Sequence, residues 1–382
     1  MFRFSFLIYK KKLKSMLKQG GVVKNWKQFL NEAVGVPLGI ERSARKIWED
    51  IILFLENNHE YTENEEKIEL KGNYGFSDYK ITGVGFKITH ATRNTTQYRI
   101  LSMKLIWPAR VQDGIMRYIK TEDILIRIDI GRPENTQIDP SKVISLLKGE
   151  WQERISVIAH ELKHGYDFFK HTDGEKISNF VRYRTALDMK FGNRVVDTFM
   201  YNSYFTTSIE NLVRPSELYT LAIESGVTKK DFRNFFEGTE LYRTLKEIES
   251  QTYEDFREEL KQNMEFVLNV IQNSKNDQIP QDDEGRIDLF LKRIYMTLCN
   301  YGVGKFRELQ SKVGPLRKIM NLFGAKYGSS GDDEKLLSDF IKKLTKYKGR
   351  EVEYFKYQIG ENAYQARQVI KKLGKIYSIL PD

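Results

Sequence analysis

The sequence predicts an α+β protein in which a short run of β-strands precedes a long helical part. Between about residues 65 and 130, apolar and polar residues alternate with a period of two, which is typical of half-buried strands. On both sides of this stretch the apolar residues recur at intervals of three and four, as they do along one face of a helix. Strands that are grouped first, with helices afterwards, favour an α+β class over alternating βαβ units.

The composition is that of a folded globular protein. The chain has 382 residues, of which 40% are hydrophobic and 30% are charged, and this length is sufficient for two or three domains. The single cysteine, Cys299, excludes both an internal disulfide and a CxxC metal site, and it suits a reducing interior. We divide the chain into a basic N-terminal arm with helices (1–60), a domain that contains the strands (61–225) and a helical domain (226–382).

The net charge of +10 is concentrated in the arm. Residues 1–31 hold eight of the 62 basic residues and none of the 52 acids, so the rest of the chain has a net charge of +2. This distribution argues against a nucleic-acid partner, which normally needs a basic folded face. No stretch approaches the roughly 20 apolar residues of a transmembrane segment, and the short apolar run precedes the lysines, the reverse of a secretory signal peptide.

The role of the arm stays open at this point. It is either a solvated basic segment, or an element that docks on an acidic partner or an anionic membrane. Met16 is a second candidate start of translation.

The individual elements follow from local signals. Helices are predicted over 25–34 and 43–58, and four strands have the sequences KIELKG (67–72), YKITGVGFKIT (79–89), YRILSMKLIW (98–107) and DILIRIDI (123–130).

Caps and turns delimit the helices that follow the strands. Asp139 as N-cap and Pro140 in the first turn predict a helix that Gly149 ends. A long helix over 150–170 comes next, and beyond the Asp173-Gly174 turn the chain is predicted to stay helical, with polar loops at 272–285 and 326–335.

The long helix carries two histidines four residues apart, in the sequence HELKH (160–164). On a helical wheel His160 and His164 lie opposite the apolar stripe, and Glu161 lies beside them; the stripe comprises Trp151, Ile155, Ile158, Leu162, Tyr166 and Phe169. Imidazoles on adjacent turns can share one zinc ion at about 2.0–2.1 Å from each nitrogen. Glu161 could then take a proton from the metal-bound water, and Asp167 could hold the second nitrogen of His164. The alternative is a surface helix with coincidental histidines.

HELKH matches the HExxH signature of the zincin metallopeptidases, and ILIRIDI (124–130) resembles their edge strand. This resemblance covers roughly residues 65 to 225. It implies a mixed sheet above an active-site helix and an edge strand that pairs with an extended peptide substrate. It also implies zinc as cofactor, His160 and His164 as ligands and Glu161 as general base. Lys163 departs from the usual uncharged residue, but the wheel turns it away from the metal.

A catalytic zinc needs a third protein ligand, and three candidates are open. A gluzincin takes a glutamate from a later helix, and Glu210 is the preferred residue because it lies in a predicted first turn after Thr207 or Ser208. Glu217, seven residues later on the same face, is the second candidate. The third is His171, which would stand about 10.5 Å along the axis from His164 if the helix continued.

Two neighbours of Glu210 bear on its position. Arg214, four residues later, can orient the carboxylate of Glu210. Pro215 is expected to break or kink the helix near Arg214. Four residues could donate a hydrogen bond to an oxyanion: Tyr201, Tyr204, Tyr219 and Arg214. His59 and His90 have no acidic or cysteine partner at ligand spacing and are predicted to be structural.

The sequence therefore predicts a zinc-dependent endopeptidase of gluzincin type that acts on peptide or protein substrates. The segment KNWKQFLNEA (24–33) and the many Lys, Asn and Tyr residues resemble tailed-phage proteins. This implies a place in the cytoplasm of a bacterial host or in the virion, with other virion proteins contacting the basic arm. The alternative function is that of a virion structural or cargo protein with a non-catalytic or vestigial metal site.

Overall fold

The structure is a computed structural model, and it describes residues 34–64, 66–93, 96–106, 109–112, 115–118, 123–170, 191–272, 278–300 and 345–382. Residues 1–33, with the basic stretch of the N-terminal arm and nearly all of the predicted helix 25–34, lie outside these ranges. His171 and the predicted loop 326–335 also lie outside them. No helix within the described ranges combines the length and the apolar character that crossing a bilayer requires.

Among the described residues, six strands and two helices make up the first part of the chain. Helix α1 (Ile40–Asn57) and the single turn α2 (Tyr61–Asn64) precede the strands. The strands are β1 (Ile68–Lys71), β2 (Gly83–Arg93), β3 (Arg99–Ile106), β4 (Ala109–Gln112), β5 (Ile115–Tyr118) and β6 (Asp123–Pro133). All four predicted strands are confirmed, although β2 begins at Gly83 rather than at residue 79. The short pair β4–β5 was not predicted.

The rest of the described chain is helical. Its elements are α3 (Pro140–Lys148), α4 (Trp151–Lys170), α5 (Arg194–Phe205), α6 (Ser208–Glu224), α7 (Phe232–Gly238), α8 (Glu240–Ser250), α9 (Tyr253–Gln262), α10 (Met264–Gln272), a helical segment over 283–300, α11 (Glu351–Leu373) and a 3-10 turn (Ile376–Ile379). The Asp139 side chain accepts hydrogen bonds from the backbone N–H groups of Ser141 and Lys142, and Gly149 ends α3, so both predicted signals are confirmed. Of the described residues of the predicted loop 272–285, Gln272 and residues 283–285 are helical, and residues 278–282 contain no helix.

Strands β1, β2, β3 and β6 form one mixed sheet in the order β1-β2-β6-β3. Strands β2 and β6 run parallel, and the two outer pairs are antiparallel. The chain is thus of mixed α and β structure with a mostly helical remainder, as predicted at the level of class.

The assignment of ILIRIDI to an edge strand is wrong, because β6 lies between β2 and β3. Its isoleucines at 124, 126, 128 and 130 are all buried, and pairing on both sides satisfies the backbone of this most apolar strand. The edge nearest α4 is β3, which carries a bulge between Ile100 and Ser102. Bulges of this kind are common on edge strands.

The apolar stripe of α4 joins the core beneath the sheet. Ile155, Ile158 and Leu162 are buried in the same hydrophobic cluster as Phe86 and Ile126 of the inward sheet face. Trp151 is an exception, because at the first position of α4 its side chain stays 38% exposed. The cluster draws residues from each of the three predicted segments of the chain, from Val34 to Leu380, and a second cluster joins α5, α9, α10, the 283–300 segment and α11.

Candidate metal centre

Two helices bring the candidate ligands together. Helix α4 presents His160 and His164 on adjacent turns, both partly buried, on the side away from its apolar stripe. Helix α6 packs against α4 and carries Glu210 in its first turn, just after the N-cap residue Thr207. A carboxylate in the first turn is favoured by the helix dipole. Glu210 is only 2% exposed, so its charge is buried against the two imidazoles.

The side chains of His160, His164 and Glu210 face one another and form a small ligand triangle. The Nε2 atoms of His160 and His164 are 3.1 Å apart. Each of them lies 3.4 Å from an oxygen of Glu210, His160 from Oε2 and His164 from Oε1. The three side chains are a group that could hold a metal ion, since one ligand atom from each lies within 4.8 Å of the others.

The dimensions of this triangle fit zinc. Ligand atoms at about 2.0–2.1 Å from a tetrahedral zinc ion lie about 3.3–3.4 Å from each other. The Nε2–Nε2 distance of 3.1 Å and the two Nε2–oxygen distances of 3.4 Å, which end on different oxygens of Glu210, are close to this spacing. In addition, Oε1 of Glu210 is buried without a hydrogen-bond partner among the described residues. A buried carboxylate oxygen without a donor is costly, and a cation at the centre of the triangle would satisfy it.

The charges of the cluster also favour a cation. Burial lowers the pKa of His160, but the carboxylates of Glu217 and Glu210 outweigh this effect and raise the pKa to about 10. Burial raises the pKa of Glu210, whereas the neighbouring imidazoles of His160 and His164 bring it far below its usual range. The carboxylates are therefore held ionised in the interior, where a metal ion would replace the proton on His160.

Glu217 lies in the layer outside this triangle. Its Oε2 is 2.8 Å from Nδ1 of His160, the nitrogen that faces away from Glu210. A carboxylate in this position fixes the tautomer and the ring orientation of a metal-binding histidine. The structure thus brings both sequence candidates, Glu210 and Glu217, to His160, on opposite nitrogens. Sequence reasoning identified Glu217 only as a rival ligand, because the spacing of seven residues placed it on the same face as Glu210.

Glu161 lies between the histidines and the edge of the sheet. Burial raises the pKa of its carboxyl group, and the charge of Glu210 acts in the same direction. His160, His164 and the backbone of Leu105 on β3 oppose this shift. The interaction with Leu105 places the Glu161 carboxylate beside the edge strand, next to the ligand triangle.

Arg214 and Pro215 hold α6 in place. The Arg214 guanidinium stacks on the Phe205 ring, 3.5 Å from its centroid, and donates to the Phe205 carbonyl at 3.0 Å. Its Nη2 lies 4.0 Å from Oε2 of Glu210, which agrees with the expected orienting role. We expected Pro215 to break or kink α6 near this point, but the helix continues through it to Glu224.

The backbone carbonyl that Pro215 leaves without its helical donor belongs to Asn211. The ammonium group of Lys372, at the end of α11, lies 3.3 Å from this oxygen and can donate to it. A lysine from the far end of the chain therefore compensates for the proline. The sequence gives no signal that pairs these two residues, because 161 positions separate Lys372 from Asn211.

Asp167 has a partner different from the predicted one. It was expected to hold His164, but its carboxylate pairs with Lys163, one helical turn earlier. Lys163 is 6% exposed and lies near the Tyr166 ring, so it is directed away from the ligand triangle as the wheel predicted. His90, in β2, has its Nε2 2.6 Å from the carbonyl oxygen of Thr62, which agrees with a structural role.

The four candidate oxyanion donors are not equivalent. Tyr219 is buried, and its pKa is raised to about 12 by burial and by Glu41 of α1, on another side of α6. The pKa of Tyr201 is raised, mainly by burial. Arg214 opposes this shift, and the carboxylates of Glu210 and Glu217 add to it, so the hydroxyl group lies within electrostatic range of the cluster. Its side chain remains 48% exposed. Tyr204 contributes a ring contact with Tyr201.

No protein-family model, curated protein or solved structure matches this chain. The function is therefore inferred from the geometry of the ligand triangle and from the HELKH motif.

Proposed function

We propose that the protein is a zinc-dependent endopeptidase in which His160, His164 and Glu210 hold the metal and Glu161 is the general base. The observation that supports this most strongly is the close approach of two Nε2 atoms, 3.1 Å apart, to the buried carboxylate of Glu210, each of whose oxygens lies 3.4 Å from one of them. Zinc held there would lower the pKa of a water molecule and polarise a peptide carbonyl group.

The remaining steps belong to side chains of the chain itself. Glu161 takes a proton from the attacking water and later gives it to the leaving amine. Its raised pKa suits a group that must both accept and release a proton. Tyr201, exposed at the edge of the cluster, donates a hydrogen bond to the developing oxyanion. Strand β3, at the edge of the sheet, binds the substrate backbone by β-pairing.

A direct test measures zinc content and peptide cleavage with the full-length protein. The purified protein should contain close to one zinc per chain, and His160→Ala should remove it. Glu161→Gln should keep the zinc and lose cleavage by at least about a hundredfold, since general-base catalysis contributes roughly 10²–10⁴-fold. His59→Ala is the matched control, because His59 is exposed in a turn after α1 and should leave both properties unchanged.

The outcomes separate this proposal from its alternative. Zinc that persists in His160→Ala contradicts the assignment of the site. Zinc that is lost in His160→Ala, with no cleavage of any peptide in a diverse library, supports a virion structural protein with a vestigial site. The phage-like sequence style supports a location in a bacterial host cell or a virion for either function, and it favours contact with other virion proteins through the basic arm.

A further inference from the structure

The outward face of the sheet is basic. Strand register separates the two faces, because Val84, Phe86 and Ile88 of β2 point into the core while the residues between them point away from it. Of the strand residues whose side chains the structure describes, five cations and two acids lie at outward positions of this sheet. The cations are Lys71, Lys87, Arg99, Lys104 and Arg127, and the acids are Glu69 and Asp129. This face of the folded domain therefore has a positive charge that the near-neutral composition of residues 32–382 conceals.

Three of these cations form a row across the sheet. Lys87 of β2 is directly opposite Arg127 of β6, and Arg127 is directly opposite Lys104 of β3. Side chains that are directly opposite each other lie about 4.5–5.5 Å apart at their Cβ atoms, and like charges at this spacing are destabilising. Arg127 pairs with Asp129 at 2.6 Å. Among the residues that the structure describes, no carboxylate pairs with Lys104.

The row ends at the candidate active site. Lys104 is exposed, and its neighbour Leu105 is buried with its backbone next to Glu161. Strand β3 is the last strand of the sheet order, so a peptide that pairs with it would lie about 4.8 Å beyond Lys104. Each second side chain of that peptide would point to the same face as Lys104. A peptide residue directly opposite Lys104 would therefore occupy the next position in line with Lys87, Arg127 and Lys104.

We propose that this row selects peptides with an acidic side chain within about two residues of the cleaved bond, with Lys104 as the specificity-determining residue. This inference rests on the proposed endopeptidase function and adds the substrate class. An acid opposite Lys104 gains a cross-strand ion pair and relieves the repulsion within the row, whereas a basic residue there would be a fourth like charge. Apolar pairing with β3 alone would give no preference of this kind.

The experiment uses the zinc-loaded full-length protein and pairs of peptides that differ only by Glu or Gln, with the substitution moved through each position near the cleaved bond. At one position the Glu peptide should be cleaved with a kcat/KM at least about tenfold above that of its Gln partner, and higher salt should reduce this ratio. Lys104→Glu should reverse the preference, so that a Lys peptide becomes better than the Glu peptide.

A matched control and a second readout keep the test decisive. Lys71→Glu changes the same charge on the same face, but at the opposite edge of the sheet, and should preserve the preference. Binding of the same peptides to the zinc-loaded Glu161→Gln variant, measured by fluorescence anisotropy, reports the preference without turnover. If no peptide is cleaved but Glu peptides still bind best through Lys104, the peptidase proposal fails, and the preference for acidic peptides survives as a property of binding alone. Equal kcat/KM and equal binding for Glu and Gln peptides at every position would overturn it.

Discussion

Helices α4 and α6 supply the same site in different ways. Helix α4 carries His160, Glu161 and His164 within five consecutive residues, and the side chains of its two histidines are 15% and 21% exposed. Helix α6 carries Glu210, Arg214 and Glu217 over eight residues, and Glu210 and Arg214 are almost completely buried. The first helix displays a local motif, whereas the second inserts charges into the interior, where partners elsewhere in the fold must hold them.

This difference shows where the site is vulnerable. The spacing of the α4 residues is set by the helix itself, so it survives wherever α4 forms. The position of the α6 carboxylates depends on packing against α4, on the stacking of Arg214 over Phe205, and on Lys372 from α11. Changes to the surroundings of α6 should therefore alter metal binding without touching the motif.

The largest effect is expected from exchanging the two carboxylates of α6 separately. Glu210→Gln should reduce zinc affinity by more than about a hundredfold, because it removes a charged ligand from the triangle. Glu217→Gln should reduce it by only about 10–100-fold, because it weakens the group that orients His160. Competition with a chelator of known zinc affinity measures the zinc affinity of both variants. If Glu217→Gln loses more affinity than Glu210→Gln, Glu217 is the ligand and Glu210 is the orienting group.

The pH dependence of the metal-free protein should show a smaller effect. The pKa of His160 is about 10 in the folded protein against about 6.5 for an ordinary histidine. Its stabilising contribution is therefore complete below about pH 6.5 and disappears as the pH rises towards 10. The pKa values of Glu210 and Glu217 are lowered, so their contribution is present above about pH 4.5 and is lost as the pH falls further.

Thermal unfolding in chelator, from pH 4 to 10, tests this expectation. The melting temperature should be highest near pH 5–6.5, and added zinc should raise it most at the alkaline end, where His160 releases less of a proton when metal binds. In Glu217→Gln the alkaline loss should be smaller. A metal-free melting temperature that stays constant from pH 6.5 to 10 would contradict the raised pKa of His160.

The smallest effect concerns the support of α6 by α11. Lys372→Met removes the donor to the Asn211 carbonyl and should reduce the free energy of unfolding by about 1–3 kcal/mol. Pro215→Ala restores a backbone N–H that can serve the same carbonyl group. In a double-mutant cycle followed by urea unfolding, the cost of Lys372→Met should therefore fall below about 1 kcal/mol in the Pro215→Ala background. Equal costs in both backgrounds would show that Lys372 acts in some other way.

The sequence by itself determined the features that depend on local periodicity. It located the four strands of the sheet, the Asp139 cap and the extent of α4. It also predicted that His160, Glu161 and His164 lie on one side of α4. Each of these features follows from spacing along a single element. It also placed Glu210 in the first turn of a later helix. Two predictions were wrong: the edge position of ILIRIDI and a break in the helix at Pro215. Both depend on neighbouring elements, because these decide where a strand lies in a sheet and whether a helix tolerates a proline.

Only the tertiary structure decided which distant groups meet. It set Glu210 and Glu217 on opposite nitrogens of His160, and it brought Lys372 to the carbonyl that Pro215 leaves without its helical donor. It also aligned Lys87, Arg127 and Lys104 across three strands. Local sequence fixes the direction of a side chain relative to its own helix or strand, but packing fixes which elements are adjacent, and the charges of this site act between elements.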